Sequence, residues 1–379
     1  MKFLICPDSF KDCMRSAKAA KIITQAIKKV IPDAEITTIP LSDGGQGFIE
    51  AWETTANTTR ITVEANNPLG YIIKANYLLA NSNQMAIMEI AQTAGLELLK
   101  VSERNPALTT SYGVGQLILH ALEHYPIKEI IIGLGGSAVN DGGAGMLQAL
   151  GAQLLDVTGQ ILKPGGIHLK NLHSIKLDTL DQRIFNLKIK IASDVINPLL
   201  GKNGATKVYA RQKGASIEML EELEKAMRHY HQILKDTTQT DFNALPGSGA
   251  AGGLGTALLL LGGTIKSGIE IITEHTGLKQ HIQDTDYIIS GEGSIDEQTL
   301  NGKTISLIAK LCKNYRKPLL ILCGRSHGHI EQLFENGITA IFPIGNGCED
   351  LASALANGPI NLKQCSENIA RLLLVNHKK

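Results

Sequence analysis

The sequence predicts an α/β protein of two domains: a Rossmann-like, doubly wound parallel-sheet domain interrupted by an inserted mixed α/β domain. Three observations predict it. Short apolar runs alternate with segments of helical apolar spacing at both ends of the chain. From about residue 60 the texture changes to alternating strands around a turn-rich connection. Small-residue loops follow the strands, as in open α/β sheets. A chain of 379 residues fits two domains. We place them at 1–60 with 285–379, and at 61–284, with the active site expected in the cleft between them.

Phe3 to Cys6 reads as a short apolar strand, followed by Pro7-Asp8-Ser9-Phe10-Lys11. Ala19, Ile22, Ile23, Ala26, Ile27 and Val30 lie at helical spacing, so 16–30 is a helix, which Pro32-Asp33 ends. Ile36 to Ile39 is a second strand, and Ser42-Asp43-Gly44-Gly45 leads into a helix carrying Trp52. Residues 60–65 and 71–77 alternate about Asn66-Asn67-Pro68-Leu69-Gly70, the pattern of a hairpin. Met85 to Ile90 reads as a third strand of that sheet, and 113–123 as a helix. Ile127 to Ile132 is a buried strand, then a glycine-rich loop, then a helix near 143–150. Ile189 to Ala192 is a strand, 216–234 an exposed charged helix, and 246–253 a loop opening a helix through Leu261. Tyr287–Ser290, Leu319–Cys323 and Ile338–Phe342 are strands; 305–312 and 360–375 are helices.

Composition narrows the function. A net charge of +1 and few aromatics argue against a nucleic-acid surface. The first residues lack the run of a signal peptide, and no apolar stretch is long enough for a bilayer. Six cysteines without metal spacing or CxxC suit a reducing cytoplasm. The expected partner is a small molecule, and a homo-oligomer is compatible with the chain.

The chemistry concentrates in the loops. Gly133 to Met146, GLGGSAVNDGGAGM, has the composition that lets backbone N–H groups approach an anion. Three further small-residue loops, at 42–47, 246–253 and 291–293, favour a phosphate or nucleotide site over a set of tight turns. At the first strand's exit Lys11 could neutralise a phosphate and Asp8 hold Mg²⁺ or position a hydroxyl, or Asp8 and Ser9 could cap a helix. Asp43 has the same two readings. Asp141 reads as a Mg²⁺ ligand or general base, or as the acceptor of an Asx-turn. Asp194 and Asn197 could hold a metal or a polyol, or start a turn at Asn197-Pro198. Glu292, Asp296 and Lys303 share one segment; Gly302-Lys303-Thr304 copies a P-loop tail, but Glu297 stands where that motif needs glycine. Gly133-Leu134-Gly135-Gly136-Ser137-Ala138 satisfies GxGxxA after a strand, which supports an alternative, an NAD(P)-dependent hydroxy-acid dehydrogenase, although no ribose-binding acid follows at the right distance.

Seven segments together resemble the bacterial glycerate kinases of type 1, in the same order and over essentially the whole chain: PDSFK at 7–11, SDGGQG at 42–47, GLGGSAVNDGGAG at 133–145, DVINPLLGKNGA at 194–205, RQKGA at 211–215, PGSGAAGGLG at 246–255 and GEGSIDEQTLNGK at 291–303. The resemblance implies ATP- and Mg²⁺-dependent phosphorylation of D-glycerate, usually to 2-phosphoglycerate, in organic-acid and glyoxylate catabolism. It also implies a two-domain α/β fold without a Walker A loop. The site it implies has Asp8, Lys11, Asp43, Asp194, Asp296 and Lys303 as catalytic residues. Gly44, Gly45, Gly135, Gly136, Ser137, Gly142, Gly143, Gly249, Gly252, Gly291 and Gly293 are expected to bind nucleotide or phosphate. Ser9 and Asn197 are expected to bind substrate, and Asp194, Asp296 and Asp141 a metal. The chain departs from the family pattern at Gln46-Gly47-Phe48, usually Glu-Gly-Thr, at Ser294, commonly arginine, and at Arg211, usually proline.

Overall fold

Apolar runs bounded by turn residues form thirteen strands among the described residues. The computed structural model describes residues 1–377 apart from 43, 46, 56, 301 and 302. In chain order the strands are β1 (Lys2–Ile5), β2 (Glu35–Thr38), β3 (Thr59–Asn66), β4 (Ile72–Ala80), β5 (Met85–Glu89), β6 (Glu129–Gly133), β7 (Gln153–Leu155), β8 (Ser174–Lys176), β9 (Lys188–Ala192), β10 (Thr264–Lys266), β11 (Tyr287–Ile295), β12 (Leu319–Ser326) and β13 (Ala340–Pro343). The chain divides into two compact units, Met1–Asp43 with Glu50–Ala56 and Gly268–Lys379, and Gly44–Ile49 with Asn57–Ser267.

The first unit holds a parallel sheet in the order β13-β12-β11-β1-β2. Numbered within the unit, this is the 2-1-3-4-5 order of a doubly wound fold. The order reverses between β1 and β11, so the chain leaves those two strands toward opposite sides. The helix Ser16–Val30 exists because Ala19, Ala20, Ile23, Ala26 and Ile27 make one buried stripe, with Lys28 and Lys29 complementing the dipole in its last turn. Ile23 and Ile27 are fully buried, each worth about 1.5–3 kcal/mol of apolar transfer. They join Phe3, Ile5, Phe10, Ile289, Leu362 and Ile369 in one core.

The sequence reading starts the closing helix at Ile360, but the helix runs Leu351–His377, through Pro359. Pro359 lacks the N–H that would bond the carbonyl four residues back. That carbonyl, Leu355 O, instead accepts from the Cys13 thiol at 3.2 Å. A side chain from another segment thus fills the gap in the ladder. The helices Gly268–Thr276 and Leu278–Asp284, placed by the sequence reading in the inserted domain, belong to this first unit. Their buried residues Ile269, Ile271, Ile272, Leu278 and Ile282 pack toward the helix Lys303–Tyr315 and β1.

The second unit holds a six-stranded sheet, β10-β9-β6-β5-β4-β3. Strands β10, β9, β6 and β5 are parallel; β4 and β3 continue the sheet as an antiparallel hairpin. The fold class is therefore mixed α/β, a parallel-sheet unit and a mixed-sheet unit. Parallel strands buried on both faces need continuous apolar runs, and Ile130, Ile131 and Ile132 supply one. The hairpin turn is set by Asn67, whose Oδ1 accepts from the Leu69 and Tyr71 N–H groups at 2.9 and 3.0 Å. Strand β10 and the small β7–β8 pair have no counterpart in the sequence reading; each has only three residues, too few to show a period.

The segment Ala250–Leu260 opens not as a regular helix but with three left-handed residues, Ala251, Gly252 and Gly253, at φ of 53°, 69° and 89°. At Gly252 an added Cβ would lie 2.0 Å from Val139 O, so Gly252→Ala should lower the melting temperature by several degrees. Ala251 bears a Cβ in a region that costs about 1–2 kcal/mol. Ala251→Gly removes that cost against about 0.4–1 kcal/mol of added unfolded-state entropy. Its melting temperature should equal or exceed that of the parent in calorimetry, and a loss as large as that of Gly252→Ala would contradict the geometry.

Candidate functional site

In the first unit, the exits of β1 and β11 lie side by side where the strand order reverses. Two hydrogen bonds tie the exits together: Asp8 N–H donates to Gly291 O at 2.8 Å, and the Ser290 side-chain Oγ–H to Cys6 O at 2.7 Å. Strand β11 runs on past the end of β1, paired with β12, and carries Glu292 beyond it. A Cβ on Gly291 would lie 2.3 Å from Leu322 O, and one on Gly293 3.2 Å from Lys11 N. The two glycines thus let neighbouring backbone come close, and Gly293 brings the exposed Lys11 segment against β11.

Three carboxylates share this exit. Glu292 is pushed up to about 7, first by burial, then by the charges of Asp8 and Asp296; a hydrogen bond from Thr299 opposes the shift. Thr299 Oγ1 also accepts from Asp296 N–H at 3.1 Å, fixing the turn that carries Asp296. His327 Nε2 stands 3.7 Å from Asp296 Oδ2. Asp8 Oδ1 accepts from Ser9 N–H at 2.6 Å. Asp8, Lys11, Asp296, Gly291 and Gly293 are therefore brought together, with Ser9 exposed beside them. Glu292, absent from the expected site, is the group most perturbed by its neighbours there. Its signal was an acid between two glycines directly after a strand. Asp43 and the side chain of Lys303 lie outside the described residues.

In the second unit the loops after β6 and β9 and the segments 44–49 and 246–255 converge, and glycine serves their contact. A Cβ on Gly135 would lie 2.2 Å from Gly45 Cα, on Gly44 2.2 Å from Ala192 O, and on Gly249 2.1 Å from Pro198 O. The N–H groups expected to face an anion are spent internally. Gly135 N–H donates to Gly44 O, Gly142 N–H to Gly252 O, and Gly249 N–H to Asn197 O, all at 3.0 Å. Gly143 N–H donates to Asp141 Oδ1 at 3.2 Å. Gly135, Gly142, Gly143 and Gly249 thus donate their N–H groups to contacts within the unit. Gly44 and Gly252 contribute carbonyl acceptors to the same contacts. Gly136, exposed at φ 70°, and Ser137 remain on the open side of the loop.

At Asp141 the geometry is that of the Asx-turn reading, with Gly143 N–H donating to the side chain two residues back. Asp141 is 1% exposed, and its carboxylate accepts from Ser111 N–H at 2.8 Å, Ser111 Oγ–H at 2.9 Å, Gly143 N–H at 3.2 Å and Gly145 N–H at 3.3 Å. Burial raises its pKa and these four donors lower it. Its oxygens organise the loop: Oδ2 accepts three of these bonds and Oδ1 one, the last closing an Asx-turn. Asn197, expected to touch substrate, is turned into its own loop: Nδ2 donates to Asn203 O and Oδ1 accepts from Tyr209 Oη–H, both at 2.8 Å. Asp194 is half-buried at the exit of β9. The GxGxxA run does not open a helix; the next helix begins at Ala144 and ends at Ala149. A dinucleotide fingerprint delivers its glycines to a helix N-terminus, so the dehydrogenase reading loses its motif.

Two buried charged groups here escaped the sequence reading of the site. Glu89, at the end of β5, is 2% exposed and accepts from Gly47 N–H at 3.1 Å and Ile49 N–H at 3.4 Å, at the start of the helix Phe48–Thr55. Lys213 is 2% exposed and donates to Ser137 Oγ at 2.9 Å and to Val139 O at 2.7 Å. Burial pushes its pKa down to about 7, and Asp141 pulls the other way.

The Lys213 shift fixes a sign. Between about 7 and the ordinary 10.5 the unfolded chain holds this proton more tightly than the folded protein. Stability therefore rises with pH across that window. In urea unfolding from pH 6.5 to 9.5, wild type should gain stability relative to Lys213→Met as pH rises. Parallel curves for the two proteins would contradict a buried, proton-losing lysine.

Comparison with known proteins gives the family. The model of the glycerate kinase family matches residues 3–374. The chain is 39% identical to the glycerate 2-kinase of Escherichia coli (strain K12), over 99% of this chain and 98% of that one. It is also 39% identical to a glycerate kinase of Haemophilus influenzae, over 98% and 99%. A crystal structure described as a glycerate kinase 2, from Salmonella typhimurium LT2, superimposes with a TM-score of 0.86 at 39% identity, covering all of both chains. The chain belongs to the glycerate kinase family.

Proposed function

We propose that this protein transfers the γ-phosphoryl group of ATP to the 2-hydroxyl of D-glycerate, in the cytoplasm, as a step of organic-acid catabolism. The observation that carries the reading is the 39% identity, over nearly the full length of both chains, to a relative described as a glycerate 2-kinase. The bond formed joins the glycerate oxygen to phosphorus, the bond broken joins phosphorus to the ADP oxygen, and a carboxylate of the chain accepts the hydroxyl proton. Such a transfer needs positioning and charge stabilisation more than covalent chemistry.

The carboxylates of the first unit fit a divalent cation. Asp8, Glu292 and Asp296 are hard oxygen donors, and their mutual repulsion, seen at Glu292, is what a cation would relieve. Among the described residues no three His, Cys, Asp or Glu side chains are grouped as a protein-only metal site. That suits Mg²⁺, which takes one or two carboxylates and completes its shell with water and phosphate oxygens. When bound, Mg²⁺ neutralises charge on the transferred group. One or two of Asp8, Glu292 and Asp296 would hold it, and Lys11 and Lys303 would neutralise phosphate. Asp43 and Asp194 are the remaining candidates for orienting the acceptor. Gly136 and Ser137 remain as the donors of the long glycine loop.

Coupled ADP release should require D-glycerate, and phosphorus NMR should place the product phosphate on the 2-oxygen. A 3-phosphate product would overturn the regiochemistry, and absence of turnover with D-glycerate would overturn the substrate. Asp296→Asn and Glu292→Gln should each cut turnover on the order of 10²-fold or more and weaken the thermal stabilisation given by Mg²⁺ with ADP. Unchanged rates and unchanged Mg²⁺ response would remove the cluster from the site.

A further inference from the structure

Lys213 is an expensive residue to bury, and its surroundings say what it holds. It lies in the left-handed-capped turn 211–214, away from the loop after β6 in sequence, yet its ammonium reaches both Ser137 Oγ and Val139 O. One cation therefore spans the two sides of Ala138. The loop is held from the back as well: Ala138 N–H donates to Ala94 O at 2.8 Å, and Gly136 O accepts from Leu96 N–H at 2.8 Å. Asn140 Nδ2 donates to Thr206 Oγ1 at 3.0 Å. Residues 136–140 are fixed on every inner side, while Gly136 is exposed and Ser137 half-buried.

The hydrogen-bond directions give Ser137 a role. Ammonium has donors only, so in this contact the Ser137 oxygen accepts. Its own O–H then remains to donate, polarised by the cation behind it. Among the described residues, neither the Gly136 nor the Ser137 N–H is spent in the backbone contacts that consume Gly135 and Gly142. The open side of the loop thus presents donors, with the buried Lys213 Nζ behind them.

We propose that Lys213 is a positioning residue that aims the Ser137 hydroxyl at an oxyanion of a bound substrate, either the carboxylate of the hydroxy acid or a phosphate of the nucleotide. The lowered pKa of Lys213 is consistent with this, because an anion at Ser137 supplies the countercharge that burial withholds. The proposal rests on the kinase reading above for the identity of the two candidate ligands.

Isothermal titration with D-glycerate alone, and with a non-hydrolysable ATP analogue and Mg²⁺ alone, separates the two sources of the oxyanion. Ser137→Ala and Lys213→Met should weaken the same one of these ligands, by on the order of tenfold for a charge-assisted hydrogen bond, and leave the other unchanged. Ser137→Thr, which keeps the hydroxyl, should retain the affinity. In the Lys213→Met background Ser137→Ala should cost little more, because the aimed donor is already lost. Wild-type binding that is unchanged in both variants, or variants that weaken different ligands, would overturn the proposal alone. Wild type that binds neither ligand would overturn the kinase reading and the proposal with it. Should Lys213→Met fail to fold, the Ser137→Ala and Ser137→Thr pair decides: equal affinities in the two overturn it.

Discussion

The second unit depends on backbone approaching backbone with no side chain between. Gly135 lies against Gly45, Gly44 against Ala192, Gly249 against Pro198, and Gly252 against Val139 and Asn140, each too close for a Cβ. Four segments distant in sequence are joined this way at the exits of β6 and β9. Close approach buries peptide groups, and buried peptide groups must be paired. Asp141 and the carbonyls of Gly44, Gly252 and Asn197 provide that pairing. A carboxylate nearly fully buried would otherwise be costly, and its four donors offset that cost. What the loop leaves open is small: the rim at Gly136 and Ser137, backed by Lys213.

The first unit solves a different problem. A parallel sheet whose order reverses between β1 and β11 leaves a crevice where the two strands exit. Gly291 lets β12 close on β11, Gly293 lets the segment after β1 do so, and Asp8, Glu292 and Asp296 lie within electrostatic reach there. Burial first, and then the charges of Asp8 and Asp296, raise the proton affinity of Glu292. The unit carries this load on an apolar core in which Phe3, Ile5, Ile289 and Leu322 are nearly fully buried.

Much of this was legible before any coordinates. Periodicity located the long helix Ser16–Val30 and the strands around it, because a buried stripe must repeat. The β3–β4 hairpin was announced by alternation and by Asn67 at its turn. Residues Asp8, Lys11 and Asp296 were legible as strand-exit groups. What sequence could not separate was the work of glycine. A loop that cradles an anion and a loop that packs on another backbone have the same composition, and only the destination of each N–H distinguishes them. For Asp141 the Asx-turn was legible but the rest of its shell was not, since its four donors come from three residues, one of them thirty positions away. Lys213 was quoted in a motif but given no role, because nothing in RQKGA says that its ammonium turns inward. Helix Leu351–His377 ran past its proline because Cys13, over 340 residues earlier, compensates.

The central claim is that the glycine-rich loops are built by internal pairing before any ligand arrives. Amide hydrogen exchange on the ligand-free protein tests it directly. The N–H groups of Ser111, Gly135, Gly142, Gly143 and Gly145 should exchange slowly, with protection approaching that of β6, because each donates to a buried acceptor. Exchange at unprotected rates in the free protein, with protection gained only on adding nucleotide and D-glycerate, would contradict it and return these glycines to the ligand.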